Sequence, residues 1–353
     1  MPDDNKISKS IELSYESVNN LVKQGEQIWN DYKELVYSSK YYQVENIVVC
    51  GMGGSSLPAH ILKSAYNTRI PLQIVEGYTL PAWANEKTLV ILSSYSGETE
   101  ETLSCAVHAE ENRCVITGIT TGGSLEKFLS VGNYPFLKVD PKFNPSEAPR
   151  YGLGYGIFGI LRILSKLELL EKCDYTNLEK DIKDTIENVN ATIEGIKQKA
   201  IDVAPDFKDK FVVTMVAEHL GGVGRTSENI LNETAKAMAF YKHIPEANHN
   251  LIQGFTQFKE DIVILFLRSQ KYTARIQRRM DITQKIIEQN GYKTFMYQMD
   301  TPVLVENPSL FEETLNNIIF CANLSISIAK LKNVDPLEIP IIDNIKKELL
   351  GSY

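Results

Sequence analysis

Residues 231–250 read LNETAKAMAFYKHIPEANHN and hold two side chains able to move protons near neutral pH, Glu233 and His249. A carboxylate can serve as a base, and an imidazole titrates close to working pH, so it both takes and gives a proton. Ile230, Leu231, Ala235 and Met238 recur at helical spacing, which predicts a helix over 227–240 and a break at Pro245. Glu233 lies off that apolar stripe, beside Asn229 and Lys236, so periodicity by itself puts it on a solvated face. His249 stands between Asn248 and Asn250, whose amides are expected to hold its ring.

Two loops far upstream offer these groups something to act on. GMGGSS (51–56) follows an apolar run and opens a helix, and SSYSGETEET (93–102) does the same. Glycines let backbone N–H groups approach a ligand, and a helix N-terminus favours an anion. Gly53, Gly54 and Ser55 of the first loop and Ser94, Ser96 and Thr99 of the second form the expected phosphate-binding set. A nucleoside triphosphate loop would need the lysine of GxxxxGK[ST], which is missing. A dinucleotide loop would want a third glycine where Ser56 stands, although Glu76 supplies an acid at a suitable distance. The competing structural account is that the serines and Thr99 only cap a helix. Two such loops together favour a sugar phosphate.

The elements that must position these residues alternate. NIVVC (46–50), LQIVE (72–76), TLVILSS (88–94) and CVITGI (114–119) read as buried strands, with helices over 55–66 and 98–112 between them. The pattern resumes with FVVTMVA (211–217), DIVILFL (261–267) and KTFMYQM (293–299). GGVGRT after the first of these reads as a Gly-rich turn matching GMGGSS, and RSQKYT after the second matches YSGETEE, a weak internal duplication. The expected fold is α/β, with two doubly wound parallel-sheet lobes and flanking helices. Its divisions are N-terminal helices over 1–40, a first lobe over 41–154, connecting helices over 155–205, a second lobe over 206–335 and a C-terminal helix over 336–353.

Composition narrows the partners. The formal net charge of −8 argues against a general nucleic-acid or membrane-surface binder. No apolar run is read as reaching membrane length, and MPDDNKISKSIELSYESV lacks the apolar core of a signal peptide. Five scattered cysteines without a CxxC read as buried reduced thiols, so a cytoplasmic protein without metal or cofactor is expected.

The two loops together resemble the sugar isomerase (SIS) domain. NETAKAMAFYKHIPEANHN and EAPRYGLGY (147–155) resemble segments of the bifunctional phosphoglucose/phosphomannose isomerases, and the likeness spans most of 45–350. The resemblance implies two SIS lobes and exchange of an aldose and a ketose hexose 6-phosphate through an enediol. Glu233 would be the base and Arg150 would steady the enediol or a sugar oxygen. His249 would open the sugar ring from the neighbouring subunit of a homodimer, and Lys346, which the register from Pro340 favours over the alternative of adjacent Lys347, would assist. Three positions depart from the pattern: Ile339 stands for a threonine tied to accepting both C2 configurations, Leu251 for an acid and Glu98 for an asparagine. The other readings are a SIS enzyme of aminosugar phosphates and a sugar-phosphate sensor without chemistry.

Overall fold

In the computed structural model residues 4–299 and 309–350 are described. Residues 1–3 of the expected N-terminal helices, 300–308 of the expected second lobe and 351–353 of the expected C-terminal helix lie outside them. The chain opens with helices α1 (Asp4–Asn19) and α2 (Leu21–Asp31). The first lobe follows as β1 (Asn46–Cys50), α3 (Leu57–Ala65), β2 (Leu72–Val75), β3 (Thr88–Ser93), α4 (Glu100–Glu111), β4 (Val115–Thr120), α5 (Gly123–Val131) and β5 (Phe136–Lys138). Helices α6 (Leu153–Lys166) and α7 (Leu178–Val203) lead to β6 (Phe211–Val216), α8 (Gly221–Glu233), β7 (Ala239–His243), β8 (Ile262–Arg268), α9 (Ala274–Gln289) and β9 (Lys293–Gln298). Helices α10 (Leu310–Lys332) and α11 (Pro340–Leu350) complete the described chain.

Both sheets are parallel, ordered β2-β1-β3-β4-β5 and β7-β6-β8-β9. The strand order reverses between β1 and β3 and again between β6 and β8, and ligands of open α/β sheets sit outside the carboxyl ends of the strands at such points. In the first lobe those ends carry the loops 51–56 and 93–102. β3 and β4 are buried at every position because helices cover both faces, which explains their unbroken apolar runs.

Several expectations need correction. The helix read over 227–240 ends at Glu233. The chain then reverses through Lys236, at φ +49°, and forms the edge strand β7, which propensity did not reveal. GGVGRT is not a turn but the first turns of α8. Its glycines serve close packing: a Cβ on Gly222 would stand 2.4 Å from Ile61 Cα, so α8 and α3 meet backbone to backbone across the two lobes. The N-terminal helices expected over 1–40 are α1 and α2, and the second already ends at Asp31. Helix α10 has the length and apolar composition of a membrane span, against the sequence reading, but 89% of that stretch is buried inside the protein. It packs on α7, α8 and α1 as the core helix of the second lobe. Four cysteines are buried and Cys173 is half-buried, all as free thiols.

Polar contacts fasten the lobes where α3 and α8 meet. Arg225 Nη2 of α8 donates to Glu76 Oε2 at 2.6 Å, and Ser56 Oγ donates to Glu76 Oε1 at 2.6 Å. His60 Nε2 stands 3.4 Å from the same carboxylate. Glu76 is therefore committed to the lobe junction rather than to a ribose. Burial works against its charge, but the nearby His60 ring and the bonds from Ser56 and Arg225 outweigh it and hold its pKa at about 2. A lowered carboxyl pKa adds stability that is complete above the unfolded value near 4.5 and fades as pH falls toward about 2. Glu76→Gln should lower unfolding free energy at pH 7 by about 2 kcal/mol, after discounting for partial exposure. Urea titration at pH 7 and pH 3 checks this, and the gap between the two proteins should narrow at the lower pH.

Candidate active site

The first loop turns through Gly53, at φ +47°, into a single 3-10 turn, Gly53–Ser55. The second turns at Gly97, where φ is +74° and a Cβ would lie 1.9 Å from Gly122 O, so no other residue fits. Adjacent registers of β1 and β3 bring the loops together. Ser93 Oγ donates to Ser55 O at 2.8 Å, and Tyr95 N donates to Ser55 Oγ at 3.0 Å. Ser94 Oγ accepts from Gly97 N at 3.1 Å and shares a bond with Thr99 Oγ1 at 2.8 Å. Ser96 Oγ accepts from Glu98 N at 3.2 Å. The expected set Gly53, Gly54, Ser55, Ser94, Ser96 and Thr99 thus lies on two joined loops, and its hydroxyls are tied to loop donors and to one another.

Glu98, a departure from the family pattern, is turned away from those hydroxyls. Its carboxylate accepts from Ser124 N and Ser124 Oγ, both at 2.8 Å, at the start of α5. A helix N-terminus suits an acid there.

The phosphate-type loop leads directly to Arg150. Gly54 packs so closely on the Pro149–Arg150 turn that a Cβ would stand 3.1 Å from Arg150 N. Arg150 is almost wholly buried. Its Nη1 donates to Glu233 Oε2 at 3.1 Å, and its Nη2 donates to Pro336 O at 2.5 Å and Leu337 O at 3.1 Å. Its guanidinium also stands 5.3 Å from the Tyr151 ring centre, and Tyr151 Oη is bonded to Thr234 Oγ1 at 2.7 Å.

Glu233 is not a solvated surface acid. Its side chain is only 19% exposed, at the last turn of α8. Asn229 Nδ2, one turn earlier, donates to Glu233 Oε1 at 2.9 Å, so each carboxylate oxygen has one donor. Lys236 completes the surroundings: its Nζ donates to Glu233 O at 2.5 Å and Glu338 O at 2.6 Å. Burial, then the nearby Arg150 charge, lowers its pKa to about 8. Sequence reading had Lys236 beside Glu233 as a helical neighbour. It arrives instead through the chain reversal after α8. Tyr151, Asn229 and Lys236 were not picked out as members of the site. The only signal for Asn229 was its i,i+4 spacing from Glu233.

Two expected members are not brought to this cluster within one chain. His249 is exposed on the loop after β7, and its ring has no hydrogen bond among the described residues. The flanking amides do not hold it, contrary to expectation. Asn248 Nδ2 donates to Thr283 Oγ1 and its Oδ1 accepts from Arg279, while Asn250 bonds Glu246 and its own loop. Lys346 and Lys347 are both exposed on α11, and neither has a hydrogen bond or ion pair among the described residues. Ile339 is half-buried at the start of α11, directly after the carbonyl that Lys236 grips.

The corresponding place in the second lobe is filled by the chain's own acids. Glu313 Oε2 of α10 accepts from Ser269 Oγ at 2.7 Å and lies 3.0 Å from His219 Nε2. Glu218 Oε1 accepts from Thr273 Oγ1 at 2.7 Å, and Glu218 Oε2 from Thr273 N at 3.1 Å. The lobes share topology, yet in the first the only loop hydroxyl bonded to a carboxylate among the described residues is that of Ser56, which meets Glu76, and Ser55, Ser94, Ser96 and Thr99 meet none. Among the described residues no cluster of three or more potential ligands could hold a metal ion.

Comparison with known proteins agrees with this architecture. Residues 196–349 match the family model of the bacterial phospho-glucose isomerase C-terminal SIS domain. A bifunctional phosphoglucose/phosphomannose isomerase of Caldicellulosiruptor bescii is 28% identical over 95% of this chain and 98% of its own. One from Aquifex aeolicus is also 28% identical, over 86% of this chain and 90% of its own. The C-terminal domain of glucosamine-fructose-6-phosphate aminotransferase from Francisella tularensis shares the fold, with a TM-score of 0.68 at 14% identity over 94% of this chain and 97% of that one. Residues 196–349 thus match the C-terminal SIS domain of the bacterial phospho-glucose isomerase type, and nearly the whole chain is similar to bifunctional phosphoglucose/phosphomannose isomerases.

Proposed function

We propose that the protein is a sugar-phosphate isomerase that interconverts glucose 6-phosphate, and mannose 6-phosphate where Ile339 permits, with fructose 6-phosphate. One observation carries the reading. Arg150, whose backbone packs on the phosphate-type loop at Gly54, places a guanidinium nitrogen 3.1 Å from the half-buried Glu233 carboxylate. An anion-binding loop, a cation and a candidate base are thereby joined in one continuous structure.

In this reading the phosphate rests on the Gly53–Ser55 turn and the hydroxyls of Ser94, Ser96 and Thr99. Glu233 takes the proton from C2 of the open aldose and returns it to C1, by way of an enediol. Arg150 stabilises the negative charge that develops on the enediol oxygens through its own nearby charge, its Nη1 and Nη2 being held by Glu233 and by the carbonyls of Pro336 and Leu337. Asn229 and Arg150 fix the carboxylate by one bond to each oxygen, so the base is oriented before the sugar arrives. His249 and Lys346 would serve ring opening, moving a proton between the ring oxygen and O1. This chemistry calls for no metal and no redox cofactor.

His249 lies free of the cluster in its own chain, which supports its action in a second copy. The edge strand β7 leads toward it and exposes Phe240, and Met238 just before the strand is also exposed. Helix α11 exposes Ile341 at 77% and Ile345 at 57%. Apolar surface of this kind fits a homodimer whose subunits complete each other's sites. A cytoplasmic enzyme is consistent with free buried thiols.

Glu233→Gln should lower kcat by ~10³-fold on both aldose phosphates while leaving the thermal midpoint near that of the wild type. A coupled assay measures this, and an equally active variant, or an inactive wild type, would overturn the assignment. Mixed subunits of Glu233→Gln and His249→Ala, each inactive alone, should recover up to about a quarter of wild-type activity, since half the dimers are mixed and each has one complete site. No recovery would place His249 in its own chain's site or outside the chemistry. Ile339→Thr should raise kcat/KM for mannose 6-phosphate relative to glucose 6-phosphate by ~10-fold, the scale of one added hydrogen bond; an unchanged ratio would remove Ile339 from the choice.

A further inference from the structure

The segment 335–339 crosses beside Glu233 with its backbone held by two cations from different elements. Arg150, from the turn before α6, takes the carbonyls of Pro336 and Leu337. Lys236, from the reversal after α8, takes the carbonyl of Glu338 at 2.6 Å and that of Glu233 at 2.5 Å. Three successive carbonyls are thus gripped on the side facing the site. The far side is pinned separately: Asp335 accepts from Ser10 Oγ at 3.0 Å and from Leu337 N at 2.8 Å, and Lys6 pairs with Glu338. Ile339 and α11 begin immediately after the last gripped carbonyl.

Lys236 is poorly placed for a merely structural surface lysine. It is half-buried, at a positive φ that a non-glycine residue adopts uncommonly, and its backbone carbonyl is itself held by Lys332 Nζ at 2.9 Å. A neutral side chain of the same length would leave two carbonyls without their charged donor. We propose that Lys236 is a positioning residue: with Arg150 it straps the 336–338 carbonyls beside Glu233, and so sets where Ile339 and α11 stand relative to the sugar. It acts through Glu233 and the strap and touches neither reacting carbon. The proposal rests on the isomerase reading for its kinetic consequences and on geometry alone for the strap.

The strap should respond to pH. Facing the Lys236 ammonium are Arg150, which opposes its charge, and Asp335, Glu233 and Glu338, which favour it; Lys332 meets only its carbonyl. With a pKa of about 8, Lys236 loses its proton within an accessible range. The neutral amine still reaches both carbonyls but donates more weakly. Arginine at this position would stay charged throughout.

The test combines kinetics with hydrogen exchange on the full-length protein. Lys236→Met should reduce kcat/KM for glucose 6-phosphate about tenfold, the scale of a small misplacement of reacting groups. It should also speed backbone exchange over 337–345 while leaving β1 and β3 unchanged. Lys236→Arg should keep kcat/KM within about threefold at pH 7, and it should lack the fall in kcat/KM expected of the wild type above about pH 8. Lys236→Met with activity within twofold of wild type and unchanged exchange over 337–345 would overturn the proposal. So would identical alkaline limbs in the wild type and Lys236→Arg. If Lys236→Met does not fold, the pH profile of Lys236→Arg decides. If the wild type turns over no hexose phosphate, the isomerase reading fails, and exchange over 337–345 still decides the strap.

Discussion

The Arg150 side chain is the constraint on which the site depends. A guanidinium stays charged at any working pH, and burying one is costly unless its donors are matched. The Nε of Arg150 has no partner among the described residues, but its two terminal nitrogens are matched by the Glu233 carboxylate at the end of α8 and by the carbonyls of Pro336 and Leu337, and the ring of Tyr151 stands beside it. Each partner belongs to a different stretch of sequence. Satisfying one buried cation therefore brings together the first lobe, the second lobe and the approach to the C-terminal helix.

Close helix packing makes that convergence possible. Gly222 lets α8 lie against the backbone of α3, and the Arg225–Glu76 pair fastens the same contact. Because α8 is docked on the first lobe, its last turn is aimed at the Pro149–Arg150 turn, and Glu233 is the residue delivered there. Asn229, one turn earlier, then takes the second carboxylate oxygen. A carboxylate bonded on both oxygens keeps a fixed direction, which a proton-transfer base needs more than a structural acid does.

The two lobes show how one topology takes two roles. Each sheet reverses order beside its first strand, and each reversal leaves a crevice suited to an anion. The second crevice is closed by Glu313 with Ser269 and His219, and by Glu218 with Thr273. Internal carboxylates use the donors that a phosphate would otherwise take. In the first crevice the nearby acids are drawn aside: Glu98 bonds the start of α5, and Glu76 takes only Ser56 and is held at the lobe junction. Only the first lobe therefore keeps loop hydroxyls and backbone donors beside Arg150.

The sequence by itself determined β1, β2, β3, β4, β6, β8 and β9 and the two loops, because buried strands are fixed by local composition and tight turns by glycines. NIVVC, TLVILSS and DIVILFL each stand where their apolar runs put them, and Gly97 turns where its φ demands. It did not determine β7, because a helical pattern through Ala235 and Met238 continues past the point where Asn232 takes the Ala239 backbone and ends the helix. Nor could it bury Glu233: helical periodicity placed that residue on the solvent side, and within one isolated helix that is correct. Only tertiary structure brings Arg150, 83 residues away, and the 336–338 carbonyls onto that side. The physical reason is range. Strands and turns are set by neighbours along the chain, whereas burial and pairing of charge are set by whichever surface the fold lays against them.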